Sequence, residues 1–111
     1  MAYDEGLAVR VEETLADLEA PNLVSKKMFG GVCFLVRGNM ACGITKDSLI
    51  SRVGPKKYED ALKRPHAAVF DMTGRPMKGW VMVSPGGLED DEDLTLWVKD
   101  GLELAMSLPA Q

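Results

Sequence analysis

The fold class of this chain is decided by residues 28–44, whose sequence is MFGGVCFLVRGNMACGI. Two apolar runs, Val32 to Val36 and Met40 to Ile44, are separated by the pair Gly38-Asn39. A Gly-Asn pair between two β-prone runs predicts a β-hairpin with a two-residue type II′ turn, because glycine supplies the positive φ that this turn requires. We therefore expect an antiparallel sheet at the centre of the fold.

Further strands and helices flank this hairpin on both sides. The predicted elements are a helix over 4–19, strands over 32–36, 40–44 and 49–53, a short helix between Gly54-Pro55 and Pro65, strands over 67–70 and 79–83 joined by a turn over 73–76, and a helix from the acidic residues 89–93 to just before Pro109. The order α-β-β-β-α-β-β-α predicts the α+β class, as a two-layer sandwich of one antiparallel sheet and a layer of helices. We expect one domain over residues 1–111.

The composition excludes several classes of protein. With 46% hydrophobic and 27% charged residues, the chain resembles an ordinary globular domain, and a net charge of -4 argues against general binding to nucleic acid or to anionic membranes. No apolar run approaches the roughly 18 to 20 residues needed to cross a bilayer, and residues 1–5 are acidic where a signal peptide would be basic. Cys33 and Cys42 match no zinc or thioredoxin spacing. We predict a cytoplasmic protein with no membrane partner.

The motif Met28-Phe29-Gly30-Gly31, followed by an apolar strand and Gly38-Asn39-Met40, resembles the TfoX N-terminal domain family. This family is named after a regulator of bacterial competence, also called Sxy, and the similarity continues through residues 49–53 to the segment around Trp97. The resemblance implies a two-layer α+β fold similar to that of type III secretion chaperones, together with a role in transcriptional regulation. Full-length competence regulators are similar to this chain over their first half and carry a second, helical domain.

Enzyme chemistry has little support in the sequence. His66 is the only histidine, so every catalytic triad or metal cluster that needs two histidines is excluded. Gly30-Gly31 lies between strands, where no helix N-terminus follows to hold an anion, and it more plainly allows a bulge or a close backbone crossing. The acidic residues 89–93 are better explained as a helix start than as a calcium loop. We predict a non-enzymatic domain with no catalytic residue, cofactor or metal.

The two cysteines are predicted to lie on the same side of the sheet. With Gly38-Asn39 as the loop, Leu35 pairs with Cys42 and Cys33 with Ile44, which places both thiols diagonally on one face. Two small buried hydrophobic residues are the favoured interpretation. Redox sensing is the alternative if a thiol proves exposed.

Both faces of the predicted sheet are apolar. Strands 32–36 and 80–83 carry apolar side chains in both alternating sets, which is typical of strands covered on both sides. Either the helices divide between the two faces, or they pack on one face and the other face contacts a partner, as a homodimer or as a groove for an apolar peptide. The candidate apolar interaction surface consists of Phe34, Val36, Trp80 and Met82.

The net charge conceals a strong segregation along the chain. Residues 1–25 sum to -5, residues 26–78 to +7 and residues 79–111 to -6. The basic middle segment suggests a patch for phosphate or for an acidic protein surface, and its candidate residues are Lys26, Lys27, Arg52, Lys56, Lys57, Arg75 and Lys78. Attraction between the acidic helices and the basic middle within one fold is the plainer explanation. We therefore predict protein–protein interaction, with a homodimer expected, and nucleic-acid association as the alternative.

Overall fold

The computed structural model describes residues 3–28, 30–71 and 76–110. These residues form helices α1 (Glu5–Asp17), α2 (Tyr58–Leu62) and α3 (Asp91–Ser107), a single 3-10 turn over Pro85–Gly87, and strands β1 (Leu23–Met28), β2 (Gly31–Val36), β3 (Asn39–Thr45), β4 (Ser48–Arg52), β5 (Ala67–Asp71) and β6 (Pro76–Val83). The strands make one antiparallel sheet in the order β1-β2-β3-β4-β6-β5. The predicted α+β sandwich is confirmed. The first three residues of the predicted turn over 73–76 lie outside the described part of the chain.

Strand β1 is an addition to the predicted elements. It pairs with β2 from Leu23 opposite Val36 to Met28 opposite Gly31, so the meander has four strands instead of three. The sequence did not indicate this strand because Lys26 and Lys27 interrupt its apolar pattern. Both lysines are exposed on an edge strand, where charged side chains disfavour pairing with another chain.

The hairpin between β2 and β3 turns one residue earlier than predicted. Its loop is Arg37-Gly38, with φ angles of 54° and 83°, which is the type I′ pattern, and Asn39 already lies in β3. The buried side chain of Asn39 donates a hydrogen bond of 2.9 Å to the carbonyl oxygen of Pro109, and this bond requires Asn39 to face the end of the chain. The predicted type II′ turn at Gly38-Asn39 is therefore wrong.

A bulge in β3 changes the register beyond this loop. Leu35 lies opposite Met40 and Phe34 opposite Cys42, so the pairing skips Ala41. The predicted pairs of Leu35 with Cys42 and of Cys33 with Ile44 are wrong by one residue. Because successive side chains of a strand point to opposite faces, this shift moves Phe34 and Cys42 to one face and Cys33 to the other.

All three helices cover the same face of the sheet. Helix α3 packs across β2, β3 and β4, α1 packs against α3, and α2 contacts β5 and β6. The helices share one core with the sheet, formed by Leu7, Val11, Leu15, Ala61, Leu94, Trp97, Val98, Leu102 and Ala105 on the helical side and by Phe34, Val36, Cys42, Leu49, Val81 and Val83 on the sheet side. Among the described residues, no helix covers the opposite face. The alternative in which the helices divide between the faces is therefore wrong.

Candidate interaction surface

The face of the sheet that lies opposite the helices is called the uncovered face. The register aligns Lys26, Cys33, Gly43, Ile50, Met82 and Ala68 in one row across the six strands. The neighbouring positions of the same face carry Val24, Leu35, Met40, Arg52, Phe70 and Trp80. This side of the sheet therefore presents mainly apolar side chains away from the core.

A concave region of about 550 Å³ lies on the uncovered face and is called the groove. Side chains of five strands line it, including Cys33, Met40, Ile50, Phe70, Met77, Trp80 and Met82, together with Lys46 and Asp47 of the β3–β4 turn and Asp71 at the end of β5. Cys33 and Ile50 are buried, whereas Met40, Trp80 and Met82 are half-buried. Flexible, polarisable methionine side chains suit a surface that adapts to a bound partner.

Two of the four residues predicted for the apolar interaction surface lie on the uncovered face, Trp80 and Met82. The other two are wrong, because Phe34 is 1% exposed and Val36 0% exposed under the helices. They were assigned to the wrong face because β2 is apolar throughout, so hydrophobicity does not show which of its two alternating sets of side chains faces the core. Met40, Ile50 and Phe70 were missed, and the signal that would have found them is the strand pairing rather than hydrophobicity.

An aromatic and cationic cluster lies at one end of the groove. The rings of Phe70 and Trp80 have centroids 6.4 Å apart at an interplanar angle of 41°. The guanidinium carbon of Arg52 lies 5.1 Å from the centroid of the Trp80 ring, within the range of a cation–π contact. Within the described ranges, Arg52 makes no ion pair with a carboxylate. Its positive charge therefore lies beside the groove, next to the ring of the lining residue Trp80.

Arg64 and Lys57, two cations on the helical side, contact acidic side chains of α3 instead. Arg64 contacts Asp100 at 2.8 Å and lies 3.6 Å above the Trp97 ring. Lys57 contacts Asp100 at 3.2 Å and Glu103 at 3.4 Å, and the hydrogen bond with Asp100 is the main cause that raises the pKa of Lys57. Attraction between the basic middle and the acidic helix α3 therefore operates inside the fold.

The residues predicted as a patch for an anionic partner are dispersed over the surface. Lys26 and Lys27 lie on the edge strand β1, whereas Lys56 and Lys57 precede α2, which packs beside β5 and β6. Strands β1 and β6 are four strand spacings apart in the sheet, or roughly 19 Å. Arg52 lies on the uncovered face, Lys78 is exposed on β6, and Arg75 falls outside the described residues. The described members do not form one patch.

The two thiols lie on opposite faces, so the prediction that they share a face is wrong. Cys42 is 0% exposed in the core, and Cys33 lies in the floor of the groove with 8% exposure. Burial raises the pKa of both thiols, that of Cys42 to about 12 with a further contribution from Cys33. Both side chains therefore carry neutral thiols near pH 7, which is unlike a reactive cysteine.

The other candidate functional features of the described residues are His66, metal-binding clusters and membrane-spanning helices. His66 is exposed and adopts a φ of 67° at the junction of α2 and β5, where its carbonyl oxygen accepts a hydrogen bond from the Ser84 amide. Residues 3–28, 30–71 and 76–110 contain no group of three His, Cys, Asp or Glu side chains placed to bind a metal. No helix in these ranges is both long and apolar enough to span a bilayer.

The comparison with known protein families gives one result. The family model described as the TfoX N-terminal domain matches residues 13–105, which includes the sheet, α2, most of α3 and the C-terminal end of α1. No curated protein and no solved structure matches the chain. The expected likeness to type III secretion chaperones therefore stays a prediction.

Proposed function

Because this chain belongs to the TfoX N-terminal domain family, we propose that it is a non-enzymatic binding domain that acts in transcriptional regulation through protein–protein contacts. Competence is the regulated process that the family suggests, and two unpaired thiols fit a cytoplasmic location. The uncovered face is the proposed contact surface, and the groove in it is the observation that carries the proposal.

The groove supports this function because its apolar side chains lie on the face of the sheet that the helices do not cover. The helices pack on the other face, so the apolar side chains of Met40, Trp80 and Met82 remain half-buried at the surface. Contiguous apolar surface of this kind usually marks an interaction site. Trp and Arg, the residue types most often found to dominate binding energy, meet here as Trp80 and Arg52.

A substitution pair tests the contact surface directly. Met82→Glu places a charge in the groove, and we expect it to reduce binding of an apolar fluorescent dye and to abolish any dimer detected by light scattering. Leu96→Glu changes a residue that is 52% exposed on the outer side of α3, so it serves as the matched control. A chain that binds neither dye nor protein, with or without Met82→Glu, would refute the proposed surface.

Association with nucleic acid is the second candidate, and it rests on the exposed lysines Lys56 and Lys78. In the described part of the chain, neither makes an ion pair, in contrast to Lys57. This candidate requires DNA binding that weakens steeply with salt and that Lys56→Glu reduces. Absence of binding to duplex DNA at about 10 mM salt, where the Debye length of roughly 30 Å leaves surface charges weakly screened, would eliminate it.

A further inference from the structure

The shape of the groove restricts what can occupy it. The groove is concave, so two copies that met through the uncovered face would enclose two such volumes, each of about 550 Å³, without filling them. Unfilled apolar volume forfeits the packing contacts that stabilise an interface. A convex partner fills the same volume, and an α-helix with its side chains is a cylinder roughly 10–12 Å across.

The length of the groove also favours a helix. Its lining extends from Cys33 on β2 to Phe70 on β5, which are four strand spacings or roughly 19 Å apart. That distance exceeds the length of most small molecules and equals roughly 13 helical residues at 1.5 Å each. About four turns of helix would present three or four apolar side chains to the methionines and to Trp80.

The charges at the groove define one further feature of the partner. Arg52 has no carboxylate partner within the described residues, whereas Arg10, Lys57 and Arg64 on the helical side each contact an acid. An acidic residue on the partner would form an ion pair with Arg52, whose guanidinium group the Trp80 ring positions. Asp71, at the β5 end of the groove, would repel further acidic residues there, whereas the charge of Asp47 is offset by the adjacent Lys46.

We propose that the groove binds one amphipathic α-helix of a partner protein, with an apolar stripe about 13 residues long and an acidic residue opposite Arg52. This inference rests on the proposed function and specifies its partner. The apolar stripe supplies most of the affinity, and the acidic residue sets the direction in which the helix lies.

A display library of random 16-residue peptides, selected on the folded chain, tests this proposal. Enriched peptides should carry apolar residues at i, i+3 or i+4, and i+7 with one acidic residue beside them, because that is the helical period. The strongest binder, made as a free peptide, should gain helical circular dichroism when the chain is added. Enrichment of peptides that alternate apolar and polar residues would indicate strand addition at a sheet edge and would overturn the proposal, as would no enrichment.

Variants of the chain locate the binding site of that peptide. We expect Arg52→Glu to weaken binding about tenfold and Arg52→Lys to weaken it less, since the positive charge is retained. Leu96→Glu, on the outer side of α3, should leave the affinity unchanged. Equal effects of Arg52→Glu and Leu96→Glu would place the peptide elsewhere and overturn the assignment to the groove.

Oligomeric state separates failure of this inference from failure of the proposed function. If no peptide is enriched and light scattering shows a dimer that Met82→Glu dissociates, a second copy occupies the uncovered face. The helix proposal is then wrong, while protein–protein contact through this face stands. If neither a peptide nor a second copy binds, both proposals fail.

Discussion

Gly30 and Gly31 are adjacent in the β1–β2 turn, but they meet different physical requirements. Gly30 has a φ of 74°, and apart from its chain neighbours no described residue has an atom within 4 Å of the position that a Cβ would take. At Gly31 the φ is ordinary, but a Cβ would overlap the carbonyl oxygen of Ile44 on β3. The first glycine therefore serves the turn, and the second allows β2 and β3 to approach.

This difference predicts unequal effects of the same substitution. Gly30→Ala should lower the free energy of unfolding by about 1 kcal/mol, the cost of a left-handed conformation for a residue with a Cβ. Gly31→Ala should lower it by about 3 kcal/mol, because the backbone of a central strand must move. Urea unfolding of both variants measures the two values. Equal losses would show that the contact with Ile44 does not constrain the hairpin.

Cys42 should make the stability depend on pH in the alkaline range. Its ordinary pKa of 9.0 applies to the unfolded chain, whereas burial in the core raises the pKa to about 12. The unfolded state therefore loses its proton first, so the contribution of Cys42 is complete below pH 9.0 and declines as the pH rises towards about 12.

Comparison with Cys42→Ala isolates this effect from other groups that titrate above pH 9. Between pH 8 and pH 10.5, the wild-type chain should lose about 2 kcal/mol more of its free energy of unfolding than the variant does, given about 1.4 kcal/mol per pKa unit. Urea unfolding at both pH values gives the difference. An identical pH dependence in the two proteins would mean that the Cys42 thiol ionises in the folded chain as readily as in the unfolded one.

At the scale of elements, the sequence predicted the types of the helices and most strands but not how the strands align. The helical period identified the buried stripe of α3, where Leu94, Trp97 and Val98 are indeed buried. Strand β2 is apolar in both alternating sets, so hydrophobicity could not assign its faces. Its alignment depends on the Arg37-Gly38 turn and the skipped Ala41, which follow from backbone geometry and from the tertiary contact of Asn39.

The docking of α3 on the sheet depends on a close backbone contact that helical propensity does not reveal. A Cβ at Gly101 would overlap the carbonyl oxygen of Ala41, the residue skipped in the β2–β3 pairing. Beside it, the hydroxyl of Ser51 donates a hydrogen bond of 2.8 Å to the carbonyl oxygen of Trp97. The glycine and the serine together let α3 lie directly on β3 and β4.

Gly101→Ala should therefore destabilise the chain although alanine favours a helix. Propensity alone would add about 1 kcal/mol to the free energy of unfolding. We expect instead a net loss of at least about 2 kcal/mol, because α3 must move away from the sheet. Lys99→Ala, at an exposed position of the same helix, should change stability by less than about 0.5 kcal/mol and serves as the control. Stabilisation by Gly101→Ala would contradict the close packing.

At the scale of the molecule, the segregated charges of the sequence are partly neutralised by folding. Asp100 on α3 contacts both Lys57 and Arg64 from the basic middle, and Asp91 contacts Arg10 on α1. These pairs link α3 to α1 and to the segment around α2, so the cations that take part in them are less available to an external anion. Arg52 differs because it lies on the uncovered face, away from the acidic helices.

Val81 and Met82 are adjacent on β6 but point to opposite faces of the sheet. The same substitution at the two positions therefore tests whether the helices cover only one face. Val81 is 0% exposed beneath the helices, whereas Met82 points into the groove. Val81→Glu would bury an unpaired charge in the core, and we expect it to cost more than about 4 kcal/mol and to leave little folded protein. Met82→Glu keeps its carboxylate near the surface, because Met82 is half-buried and faces the groove, so it should cost far less, about 1 to 2 kcal/mol. Thermal unfolding followed by circular dichroism compares the two variants, and equal loss of structure would mean that the uncovered face is part of the core instead of a surface open to a partner.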